Sequence, residues 1–374
     1  MDVLLSTFSL SQREGRKLLV TLVFAAIYFG LAGLLGMLFM QWLLRQDYAP
    51  DSTAKHGIST RPSSRLGGVA VFTVTATLMI LSEYLSPGAD LFKSASIYYY
   101  SLFLFISCFS LGLWDDISVG GLRPRFRLVI LCLVYTVVLI GVPELIPSSL
   151  GIAPLDFVMS IPLVGLLLTV IFCVGFLNAV NMADGANGLV PGIALVSFFF
   201  FSLLDGSPVW GYLVVGFGIF LIFNLISGRL FLGDAGSYGV ACLLSFGGLF
   251  MVQVGEASPW LLAATLSYPC LEMVVSMGRR ALSGKSMFLP DNHHLHNRLH
   301  AFLQRYLKGA GLPNAVTGVA ITMATSGLSV FLYYFGWLTA LDERWLMVFL
   351  AQSVLYGLVY FQLGRLIKYY EFKQ

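Results

Sequence analysis

Asn178-Ala179-Val180-Asn181-Met182-Ala183-Asp184-Gly185-Ala186-Asn187-Gly188-Leu189 joins two long apolar runs, from about 160 to 178 and from 189 to 204. A polar group left unsatisfied beside hydrocarbon costs several kcal/mol, so these asparagines and the aspartate must bind water, a polar ligand or each other. The flanking runs approach the roughly 20 apolar residues a membrane-crossing helix needs.

Working outward from this joint, the same alternation repeats. Further apolar runs cover roughly 18–44, 66–85, 97–114, 126–142, 208–226, 235–252, 259–276, 314–336 and 345–364, separated by turn-rich pieces such as Ser86-Pro87-Gly88 and Asp205-Gly206-Ser207-Pro208. Of 374 residues, 57% are hydrophobic and 11% charged, against about 25% charged in a soluble domain. The expected fold is all-α: a polytopic integral membrane protein of about 11 transmembrane helices, with residues 1–374 as a single domain. The first run is too long for a signal-peptide core, and no small-residue cleavage site follows it.

An odd number of spans puts the termini on opposite sides. Alternation then groups all Lys and Arg except Arg13, Arg16, Lys17, Lys93 and Arg344 on one side. By the positive-inside tendency that side is cytoplasmic, with the N-terminus outside and the C-terminus cytoplasmic. The net charge of +3 is spread over short loops rather than gathered in a stripe, which does not suggest nucleic acid. Cys108, Cys132, Cys173, Cys242 and Cys270 all fall in apolar runs, without disulfide or zinc spacing.

Four more polar stretches fall on the side of the opening one. Trp114-Asp115-Asp116 ends the third run; adjacent carboxylates are either a solvated helix end or, with oxygen-only donors nearby, a Mg²⁺ or Mn²⁺ site. Phe231-Leu232-Gly233-Asp234-Ala235-Gly236-Ser237 opens the eighth run, with Asn224 and Arg229 upstream; it reads as an Asp-capped turn or as close backbone approach to an anion at a helix N-terminus. The longest loop, 277–313, carries Arg279, Arg280, Lys285 and Pro290-Asp291-Asn292-His293-His294-Leu295-His296-Asn297-Arg298-Leu299-His300. This is either a solvated surface or a basic lining for phosphates. Finally, Lys55-His56 and Arg61-Pro62-Ser63-Ser64-Arg65-Leu66-Gly67-Gly68 lead into the second run, as boundary cations or as a phosphate contact. Gly284-Lys285-Ser286 lacks the spacing and preceding strand of a P-loop, and Glu272 reads either as functional or as snorkelling to the interface.

On Arg65-Leu66-Gly67-Gly68, Asp115-Asp116, Asn178 with Asn181 and Asp184-Gly185, the Phe231–Ser237 segment and the Pro290–Leu299 segment, residues 55 to 300 resemble the polyprenyl-phosphate N-acetylhexosamine-1-phosphate transferase family (glycosyltransferase family 4). Arg279-Arg280, Gly284-Lys285, Pro290-Asp291 and His294-Leu295-His296 look closest to its bacterial undecaprenyl-phosphate GlcNAc-1-phosphate branch. Asn297 departs from that pattern, which carries a histidine there. The resemblance implies attack by undecaprenyl phosphate on a UDP-N-acetylhexosamine, with release of UMP and formation of a lipid-linked sugar diphosphate.

It further implies a cytoplasmic active site in the bacterial inner membrane, Mg²⁺ or Mn²⁺ as cofactor, membrane lipid around the chain and a homodimer. Asp115, Asp116 and Asp234 are its expected catalytic and metal residues. Arg65, Asn178, Asn181, Asp184, Asn224, Arg279, Arg280, His294 and His296 are its expected substrate-binding residues. A secondary transporter, the rival class, would carry acids near the bilayer midplane in repeated halves, and neither feature is evident. An inactive scaffold would need a lost motif residue, and only Asn297 departs.

Overall fold

The computed structural model describes residues 12–46, 50–51, 63–85, 95–118, 120–284, 292–309 and 311–371. Lys55, His56, Arg61, Pro62, Lys285, Pro290 and Asp291 lie outside them. Each apolar run is helical: α1 (Gln12–Leu43), α2 (Gly67–Leu85), α3 (Ala95–Ile117), α4 (Pro124–Gly141), α6 (Pro162–Ala183), α7 (Leu189–Asp205), α8 (Pro208–Ser227), α9 (Gly233–Gln253), α10 (Pro259–Thr265) with α11 (Ser267–Leu282), α13 (Leu312–Thr322) with α14 (Leu328–Tyr334), and α15 (Trp345–Glu371). The short α5 (Ala153–Met159) precedes α6, and α12 (Leu295–Leu303) lies between α11 and α13. Proline opens α4, α6, α8 and α10, where a helix has no N–H partner to lose.

Among the described residues, eight helices are long and apolar enough to cross a membrane, and the pair α10–α11 makes a ninth if it is one span. The segments Phe29–Leu43 and α7 are apolar but shorter. The chain is therefore an all-helical polytopic membrane protein apart from a two-stranded ribbon, in which Pro50–Asp51 pairs antiparallel with Ser63–Ser64. Large apolar side chains such as Ile80, Ile171 and Phe361 cover the outside, the pattern expected when the surroundings are lipid.

Among the described residues, helices of crossing length number eight or nine against the eleven spans expected; α1 is kinked at Gly30 (φ +57°), and two other expected spans differ in detail. The ninth is broken at Leu266, where α10 and α11 meet at 75°, and α11 runs on to Leu282. The tenth contains a π-helical turn at Met323–Gly327. The loop expected over 277–313 thus holds the end of α11, all of α12 and the first residues of α13.

Of the membrane-length helices α9 is the most buried, with α2, α3, α6 and α7 packed around it. Its N-terminus is anchored by the strand-like run before α2. Ser64 N–H donates to Arg229 O at 2.9 Å, Phe231 N–H to Ser64 O at 2.9 Å, and Gly67 and Gly68 N–H to Phe231 and Leu232 O at 2.8 Å. The two glycines are there for packing. A Cβ on Gly67 would stand 2.2 Å from Phe231 O, and one on Gly68 2.3 Å from the Gly236 nitrogen. The phosphate contact read for this pair gives way to contact with the chain's own backbone.

Candidate active site

All five polar stretches are brought to one end of the bundle, and the link between them is the end of α6. The first cluster forms where α3 meets α9. Asp115 and Asp116 are both buried, so the solvated helix end is excluded. Asp116 turns toward the start of α9 and accepts from the N–H groups of Asp234 at 3.0 Å and Ala235 at 2.9 Å. Gly233, at φ +69°, allows this approach, since a Cβ there would lie 2.6 Å from Asp116 Oδ2. The anion expected at the helix N-terminus is thus the chain's own carboxylate. Arg65 stands 3.6 Å from Asp116 and adds a second positive partner.

Asp115 accepts a very short hydrogen bond from Leu122 N–H. Its other oxygen receives Arg127 Nη1 at 2.6 Å, and the same nitrogen donates to Asp234 Oδ2 at 2.9 Å. Two carboxylates therefore converge on one cationic nitrogen. Asn181 reaches from α6 and donates to Asp234 Oδ1 at 2.8 Å, also lying 2.9 Å from Ser237 Oγ. Asn181, an expected substrate-binding residue, orients Asp234.

Arg127 is the residue that sequence reading treated only as a boundary charge. A signal was present: it sits in the first turn of α4, where the helix dipole disfavours a cation. Such a residue needs an anion close by, and Asp115-Asp116 lies only a short turn upstream.

The second cluster gathers His294, His296 and Glu272. Snorkelling is excluded for Glu272, whose side chain is fully buried. Glu272 Oε1 lies 3.0 Å from His294 Nδ1, and Oε2 accepts from Leu295 N–H at 2.9 Å, Tyr356 O–H at 2.9 Å and Tyr268 O–H at 3.2 Å. His296 Nδ1 lies 2.9 Å from the Tyr268 oxygen. The two imidazoles stack at 5.3 Å with planes 9° apart. Burial pushes His296 down to about 4, more than the nearby Glu272 carboxylate restores, and burial lowers His300 as well.

Residues 181–185 touch both clusters: Asn181 holds Asp234, Met182 Sδ meets Arg280 at 3.5 Å, and Gly185 lies against His296. Half-buried Asp184 sits between them at the end of α6.

Other expected residues have inward roles. Asn178 back-bonds to Val174 O at 2.7 Å. Asn224 is buried and spans two loops, accepting from Gly188 N–H at 2.7 Å and donating to Leu230 O at 2.8 Å. Asn314, unmarked in the sequence, accepts from Asn187 N–H at 2.8 Å and ties the same joint to α13. Arg279 donates to Ser276 Oγ at 2.8 Å, His293 O at 3.2 Å and Tyr360 O–H, which fastens α11 to α15. Buried Arg280 lies 3.2 Å from Ser276 Oγ.

Among the described residues no three His, Cys, Asp or Glu side chains converge on one point. Asp115 and Asp234 carry hard oxygen donors, a type that suits Mg²⁺ or Mn²⁺ better than a softer metal, and the position they share is held by Arg127 Nη1. Asp116 does not belong to that pair, because both its oxygens face the α9 backbone.

An all-helical membrane protein with a buried carboxylate–arginine centre at one end is the class so defined. Residues 98–252 match the description Glycosyl transferase family 4. The chain is 30% identical over 250 residues to the undecaprenyl-phosphate alpha-N-acetylglucosaminyl 1-phosphate transferase of Thermotoga maritima, covering 66% of this chain and 70% of that one. It is 28% identical over 320 residues to the Yersinia pestis protein of that name, 78% of each chain. With the Escherichia coli O157:H7 protein of that name the identity is 27% over 346 residues, 83% of this chain and 85% of that one. This chain belongs to glycosyl transferase family 4, as the resemblance in its motifs indicated.

Proposed function

We propose that the chain transfers a sugar 1-phosphate, GlcNAc-1-phosphate in the first instance, from a UDP-sugar to undecaprenyl phosphate. The observation that carries the chemistry is the meeting of Asp115, Asp234 and Arg127 at one end of the bundle. The relatives' shared name supports the substrates. In the reaction a phosphate oxygen of the lipid attacks the sugar-bearing phosphorus. The bond from that phosphorus to the bridging oxygen breaks, and UMP leaves with the electron pair.

Such a transfer depends on alignment and charge neutralisation more than on covalent help from the protein. Asp115 and Asp234 would hold Mg²⁺, which when bound neutralises charge on the transferring phosphates. Arg127 Nη1 fills the position between the two carboxylates, so it would turn from them to the phosphates when a metal takes that place. Asp116 and Arg65 hold the start of α9, and Asn181 keeps Asp234 in one rotamer. A lipid phosphate is already largely ionised near neutral pH, so no strong base is needed. Asp184, Arg280, His294 and His296 are assigned to the nucleotide, diphosphate and sugar. The charge bias of the loops supports a cytoplasmic site and an outside N-terminus in a bacterial inner membrane.

The test is UMP release by purified protein given undecaprenyl phosphate, Mg²⁺ and a panel of UDP-N-acetylhexosamines, with and without chelator. Metal-dependent release with UDP-GlcNAc is expected. Release only with another hexosamine would correct the sugar, and none from folded protein would reject the reading.

A further inference from the structure

Glu272 has no part in the carboxylate centre, yet it is the most heavily hydrogen-bonded buried carboxylate outside it. It gathers four partners from three elements: Tyr268 on its own helix, His294 and Leu295 at the start of α12, and Tyr356 on α15. A buried carboxylate is tolerated only when its lone pairs are satisfied. Each partner must therefore point a proton at it.

Proton counting then settles the histidines. A carboxylate only accepts, so His294 carries its proton on Nδ1. Tyr268 has one proton and two neighbours, Glu272 Oε2 at 3.2 Å and His296 Nδ1 at 2.9 Å. Given to His296, that proton would leave the phenol oxygen facing a carboxylate oxygen with nothing between them. Given to Glu272, it makes a charge-assisted bond, and His296 completes the chain by donating from Nδ1 to the phenol oxygen. Both rings then carry Nδ1–H. His296 Nε2 lies against Gly185, since a Cβ there would come within 2.2 Å of it.

We propose that Glu272 is a positioning residue which, directly and through Tyr268, sets both histidines as Nδ1–H tautomers. This rests on the transferase reading for what the histidines touch. His296 stays neutral near pH 7, so its Nε2 accepts a hydrogen bond from a hydroxyl or N–H of the donor substrate; it does not bind phosphate as a cation. The donor's sugar-side polar groups are thereby read by an acceptor next to Asp184 and Gly185.

The experiment is long-range ¹H–¹⁵N NMR of ¹⁵N-histidine-labelled full-length protein in detergent, alongside steady-state kinetics of E272Q and Y268F. In the unaltered protein His294 and His296 are expected with Nδ1 protonated and, for His296, Nε2 bare. E272Q should disturb both signals and lower kcat/KM about 10–100-fold, the range found when the carboxylate behind a metal-bound histidine is removed. Y268F should disturb His296 alone and raise KM for the UDP-sugar more than it lowers kcat. A proton on His296 Nε2 in the unaltered protein, or E272Q indistinguishable in spectra and kinetics, would overturn the proposal. The NMR needs no turnover: the stated tautomers in a protein that releases no UMP would sink the transferase reading while upholding the placement.

Discussion

Asp116 is buried and Asp234 half-buried in the same cluster, but they do different jobs, and substitutions separate them. Asp234 shares Arg127 with Asp115, so D234N removes charge from the point where phosphates would react. Turnover is expected to fall by at least about 100-fold, with little change in Tm because one of two neighbouring charges is gone. Asp116 caps the α9 backbone, so D116N should cost stability as well, on the order of 1–2 kcal/mol. Equal Tm values for the two variants would contradict this division.

His296 supplies a pH signature, because its folded value near 4 lies below the ordinary 6.5. Below pH 6.5 the unfolded chain takes up a proton that the native site refuses until about pH 4. Stability is therefore complete above 6.5 and falls as pH drops through that window. Between pH 7 and 5 the loss is on the order of 2 kcal/mol. It should appear as a falling Tm in detergent that is shallower in H296Q.

At the scale of elements, backbone-to-backbone contact at the start of α9 leaves no room for side chains. G67A and G68A drive a methyl group into Phe231 O or the Gly236 backbone, neither of which can swing away. Each should destabilise by about 1–3 kcal/mol, measured as Tm, whereas G278A, inside α11 with open space around it, should stabilise slightly, by about 0.5–1 kcal/mol. G185A meets the buried His296 ring, which Tyr268 and the stacked His294 hold in place. It should lower Tm and raise KM for the donor. Apolar periodicity made each of these helices legible in the sequence. The 75° break at Leu266 had a signal that periodicity alone passes over: Pro269 offers no N–H to Thr265 O, which accepts from Ser326 Oγ at 2.6 Å instead.

At the scale of the whole molecule, the five polar stretches meet at one end because helices alternate in direction across the bundle. Single cysteines at Ser118 and Ser283 should react with an impermeant thiol reagent from one side of a sealed vesicle, and one at Glu256 from the other. Labelling of all three from the same side would reject the alternation. The richer set of basic loops is what supports the proposed orientation.

Composition, run length and spaced motifs were enough to determine an all-helical membrane protein and the short list of polar segments that matter. Those features are set locally, by the cost of exposing polar backbone to lipid and by the length of a crossing helix. Which partner each polar group takes depends on residues far apart in the chain, and only the tertiary structure decided it. Arg127 looked like a boundary charge until α4 folded back beside α3 and put it between Asp115 and Asp234. Asn224 looked like a pocket residue until two loops closed on its amide. Glu272 looked free to snorkel until α12 and α15 covered it, because a buried carboxylate is defined by the donors that reach it and those come from three separate elements.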